Sequence, residues 1–88
     1  MITDQELEEI EQRCSLAQSM PWEALIEGRD HEGGSNIIKT GESDLRGEDL
    51  EISGATSADL DFIAHARQDI PKLIEEIRKL MRLQLDKY

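Results

Sequence analysis

The side chains that could do chemistry in this sequence are few and scattered. His31 stands between two acids in RDHE, Arg29 to Glu32, a neighbourhood that can attract a divalent cation. A structural zinc site needs four ligands and a catalytic one usually three, and the single cysteine, Cys14, lies in another segment. The stretch therefore predicts a solvated loop. His65, inside FIAHAR, could serve as a general base, but no nucleophile sits at a spacing that would bring it beside the ring. The acids Glu42, Asp44, Glu48, Asp49 and Glu51 lack the D-x-[DN]-x-[DN]-G order and distant glutamate of a calcium loop. Gly33, Gly34 and Ser35 could wrap a phosphate, yet no Lys-Ser or Lys-Thr pair follows, and the next segment alternates like a strand. Paired carboxylates of the glycosidase kind need a larger cleft than so short a chain supplies. Nucleophile, base and orienting group cannot be assembled from neighbouring motifs, so the expectation is a protein that is not an enzyme, with no catalytic residue, cofactor or metal.

Charge says more than any motif. Twenty acidic residues against ten basic ones leave a net charge of -10. A field of that sign repels nucleic acid and anionic membranes, so the expected partners are basic or neutral proteins. The excess is uneven. Residues 1–61 carry 16 acids and 4 bases, whereas residues 62–88 carry 4 acids and 6 bases. A lone cysteine and the lack of any apolar run long enough to span a membrane predict a reduced, cytoplasmic protein.

Eighty-eight residues predict one domain, 1–88, with a modest core. Thr3 and Glu6 have the spacing of a capping box, Ile2 and Leu7 that of a hydrophobic staple, and Leu7, Ile10, Cys14 and Ala17 follow at helical intervals. A first helix over Asp4 to Gln18, ended by Pro21, is the result. From Trp22 the period changes to two, with Trp22, Ala24 and Ile26 on one side. GRDHEGGS predicts a hairpin loop, NIIKT a second strand, GESDLRG an exposed flexible loop, and EDLEIS a third strand. Thr56 can cap the next helix with Asp59 three positions on. Asp69 as a further cap and Pro71 in a first turn predict a break near Gln68, dividing the C-terminal region into two helices. An Arg67–Asp69 ion pair would fix their angle. The fold class is α+β: an N-terminal helix, a small three-stranded antiparallel sheet and a C-terminal antiparallel helix pair, with a mostly helical bundle as the alternative. Ile70, Leu73, Ile74, Ile77, Leu80, Met81 and Leu83 make a stripe wider than one small sheet needs. A homodimer through helix 70–86 would use the surplus.

Two places carry a resemblance, the pair Pro21-Trp22 in MPW and the segment FIAHARQDIPKL, Phe62 to Leu73. They resemble a group of small phage, prophage and bacterial proteins marked by a Pro-Trp corner and FIA-x-AR-x-D-[IV]-P-x-L. Glycine often precedes Pro-Trp in that group, and Met20 stands there instead. The resemblance brings no shared activity and no catalytic residues. Joined to the acidity, it implies an inhibitor of a host defence factor, such as a CRISPR or restriction complex, acting in the host cytoplasm. The carboxylates of Glu27, Asp30, Glu32, Glu42, Asp44, Glu48 and Asp49 would occupy a basic groove built for nucleic acid. The alternative is a small-ligand binder, such as a sponge for a nucleotide signal, in which Trp22, Arg29, Arg46 and Arg67 hold base and phosphate.

Overall fold

A computed structural model describes residues 1–85. Helix α1, Asp4–Leu16, begins as its sequence dictates: Thr3 Oγ1 accepts from the Glu6 amide at 3.1 Å and Glu6 Oε1 accepts from the Thr3 amide at 3.0 Å. It ends two residues before the expected Gln18, at an extended Ala17. Strands β1, Trp22–Leu25, β2, Ile37–Thr40, and β3, Leu50–Glu51, form an antiparallel sheet in that order, and a short 3-10 turn, Ser43–Leu45, interrupts the second connection. Helix α2 runs from Ser57 to Leu85 and is opened by the reciprocal Thr56–Asp59 bonds that their spacing predicts.

The period of two decides the layers. Ala24, Ile26 and Ile38 are buried with Leu60 and Ala64 of α2, and Trp22, Leu50, Ile52, Ala55 and Ile63 pack around them. This cluster is the core between sheet and helix. Helix α1 packs on α2 alone, and Leu7 and Ile74 are buried apart from that cluster. On the other side of the sheet Leu25 stands opposite Ile37 and Glu23 opposite Lys39.

The α+β architecture with an N-terminal helix and a three-stranded antiparallel sheet is present, but the expected C-terminal helix pair is not found. A single helix of 29 residues continues through Pro71. An interior proline removes one backbone bond and crowds the carbonyl four residues earlier, at a cost of ~3 kcal/mol. Tertiary contacts on both sides of the proline outweigh that cost. Leu60 and Ala64 are anchored on the sheet before it; beyond it Ile74 is buried, and Arg78 forms an ion pair with Glu11 of α1. Asp69 is therefore an exposed mid-helix residue and not a cap. The expected Arg67–Asp69 pair is also absent among the described residues, because Arg67 turns to α1 and donates from Nε to the Gln18 carbonyl at 3.0 Å. Asp86, the last position of the expected helix, lies outside the described residues.

Candidate functional site

The polar side chains that matter most are those that tie elements together. Gln18, just past α1, is the centre of one knot. Its carbonyl accepts from Trp22 Nε1 at 3.1 Å and from Arg67, while its Oε1 accepts from the Glu48 amide at 2.6 Å and its Nε2 donates to the Glu48 carbonyl at 3.3 Å. Buried Thr40 donates to the same Glu48 carbonyl at 2.8 Å. One glutamine thus joins the end of α1, the head of β1, the 41–49 connection and α2. On the other side of Trp22, Gln68 accepts from its amide at 2.8 Å and donates to its carbonyl at 3.2 Å, as a neighbouring strand would.

The 41–49 connection is exposed, as expected, but tied rather than loose. Arg46 donates to the Thr40 and Gly47 carbonyls and to Asp49, and the Gly41 and Gly47 amides bond to Pro21 and Thr40 carbonyls. Gly41 has a φ of +70°, and a Cβ there would come within 2.0 Å of the Leu45 carbonyl oxygen. Only glycine closes this turn.

The hairpin connection between β1 and β2 is built on a second charged knot. Arg29 donates to both oxygens of Asp61, at 2.8 and 3.0 Å, and to Asp30 at 2.9 Å. The hydrogen bonds from Arg29 hold the carboxyls of Asp30 and Asp61 below the usual carboxylate range, with the Ile26 amide adding to the effect at Asp30, and the two carboxylates raise the guanidinium further. His31 is committed as well. Its Nδ1 accepts from the Gly33 amide at 2.8 Å, so Nε2 is the protonated nitrogen facing the Leu25 carbonyl at 3.2 Å. Neither ring nitrogen is left for a metal, and no cluster of three metal-ligating side chains occurs among the described residues.

The seven acids expected to meet a partner do not form one patch. Glu27, Asp30 and Glu32 lie on the β1–β2 connection, and Glu42, Asp44, Glu48 and Asp49 on the β2–β3 connection. Because β2 runs between them, the two groups sit at opposite ends of the sheet, separated by ~13 Å of strand. Three of the seven are spent internally: Glu27 accepts from the Gly34 amide, Asp30 holds Ile26 and Arg29, and Asp49 pairs with Arg46. Glu32, Glu42, Asp44 and Glu48 are exposed, and their carboxylates take no hydrogen bond or ion pair from another described residue. The four residues of the alternative ligand site are also parted. Trp22 and Arg29 border one cleft of about 320 Å³ with Lys39, Asp61 and His65, Arg46 is bound into its own loop, and Arg67 borders a different groove.

That second groove, about 420 Å³ between α1 and α2, was not expected. Cys14, Met20, Pro71 and Ile74 line its apolar part, Arg67 and Arg78 its charged part together with Glu11 and Glu75, and Arg67 Nη1 is buried beside it without a hydrogen-bond partner among the described residues. Only Arg67 could have been noted from sequence, since the groove exists because α2 does not break at Pro71. No helix is long and apolar enough to cross a membrane among the described residues. Compared with protein-family models, curated proteins and solved structures, the chain has no match.

Proposed function

We propose that this chain is a non-catalytic protein-binding module whose carboxylates engage a basic surface built for nucleic acid, and that its partner is a host defence complex of the CRISPR or restriction kind. The observation that carries the reading is the 41–49 loop. It presents Glu42, Asp44 and Glu48 to solvent while Gln18, Thr40 and Arg46 hold its backbone, so three negative charges are displayed with little ordering left to pay for on binding. Glu32 adds a fourth charge at the far end of the sheet. The resemblance to phage proteins supports the choice of partner, and the overall charge of -10 keeps the chain itself off nucleic acid.

The test is a competition assay with purified defence complexes and a labelled DNA or guide RNA. The wild-type chain should block nucleic-acid loading, and Glu42→Arg with Asp44→Arg and Glu48→Arg should abolish the block while leaving the circular dichroism spectrum unchanged. Undiminished blocking by that triple variant, or binding of the wild-type chain to the nucleic acid itself, would sink the proposal.

A second reading, capture of a small anionic ligand such as a nucleotide, is favoured at one place only. Arg67 has an unpartnered buried nitrogen beside the apolar groove between α1 and α2. A thermal-shift series with nucleotides reads it out directly, and no shift at millimolar ligand would remove it.

A further inference from the structure

Helix α2 has two apolar faces, and the rest of the described residues cover only one. Leu60, Ala64, Arg67, Pro71, Ile74 and Arg78 follow one another in steps of four and three and face the sheet and α1. Rotated from them by about 120° at 100° per residue, a second series recurs at the same rhythm: Phe62, Ala66, Ile70, Leu73, Ile77 and Leu80. Leu73 is 59% exposed and Leu80 63%, and Phe62 and Ile70 are exposed beside them. The buried hydrophobic residues among those described, by contrast, are seven, two of them alanine. A chain that leaves more large apolar side chains in water than it buries is short of a contact.

We propose that this second face is covered by the same face of a second copy, the two α2 helices lying parallel and in register. Four observations choose that occupant. From Ala66 to Leu80 the spacing fits a heptad in which Ile70 and Ile77 take the a positions and Leu73 and Leu80 the d positions, the combination that favours two-stranded parallel seams. The stripe offers on the order of 600 Å² of apolar surface per copy, and the stems of the flanking charged residues bring it toward the ~800 Å² per partner of a standard interface. The charges suit self-association too: residues 62–85 carry 3 acids and 5 bases, so two strongly acidic molecules meet through their least negative part. Inverting one helix about the middle of the seam would set Glu76 against its own copy, which disfavours the antiparallel arrangement. The proposal stands whether or not the acidic loop has the partner proposed above.

Sedimentation velocity on the full chain at micromolar concentration should give a species of twice 10.0 kDa. Leu73→Glu with Leu80→Glu should return it to the monomer mass with helix content retained, whereas Leu16→Glu, at an exposed apolar residue of α1, should leave the dimer intact. In a Cys14→Ser background, Leu80→Cys should form a covalent dimer on oxidation, since d positions face each other only when the helices are parallel and in register. A monomeric wild type, or a dimer unaffected by the double glutamate variant, overturns the interface. A dimer that Leu80→Cys cannot cross-link overturns its direction.

Discussion

Two side chains do the joining that the short elements of this chain cannot. Gln68 offers β1 the donor and acceptor that a fourth strand would have offered, in a half-buried setting where an unpaired amide is expensive. Gln68→Ala should therefore lower stability by about 1–3 kcal/mol, read as a fall in the urea midpoint at constant slope. Arg29 plays the matching part on the hairpin connection, tying it to the first turn of α2 through Asp61. Because the folded-state carboxyl of Asp61 titrates below its unfolded value, the stability it contributes is present above the ordinary carboxylate range and lost as pH falls through the depressed value. Asp61→Asn should be less stable than wild type near neutrality, and the gap should close on acidification from the ordinary carboxylate range downward, through the depressed value. Urea titrations at both ends of that window measure it; a gap independent of pH would mean that the Arg29 contact contributes nothing through charge. Neither role was legible in the sequence. Gln68 and Arg29 meet partners 46 and 32 residues away, and nothing in their local spacing announces that.

At the scale of the elements, the starts of both helices and the buried side of β1 were legible from local spacing. The Thr3–Glu6 and Thr56–Asp59 caps and the alternation through Trp22, Ala24 and Ile26 depend on neighbours within a few positions, and these fixed where α1 and α2 begin and which side of β1 is buried. Pro71 shows where local chemistry misleads. Capping rules favour a break there, but the groups on either side are each held by a different part of the molecule, and a bend would release one of them. Restoring the missing donor with Pro71→Ala should stabilise the protein by about 1–2 kcal/mol, less than the ~3 kcal/mol of an unsupported helix, because the ring also lines the groove beside Cys14 and Met20. A lowered melting temperature in that variant would show that the ring contributes more through packing than it costs the backbone.

For the whole molecule, net charge was legible and its arrangement was not. Counting acids predicts a basic partner, but only the fold separates the two acidic connections to opposite ends of the sheet and consumes three of the seven carboxylates in internal bonds. If the 41–49 loop is the contact, association with a basic partner should weaken steeply between low and physiological salt, and single substitutions at Glu27 or Asp49 should matter less than one at Asp44. Isothermal titration across a salt series would check both. The borders of the sheet have a consequence of their own. On one side β3 is only two residues long; on the other, the outward rungs at Trp22 and Ile26 are already taken by Gln68 and by the carboxylate of Asp30. Packed together at high concentration, such molecules offer one another almost no free rung on which to template a growing fibril, so heating should end in unfolding before it ends in amyloid.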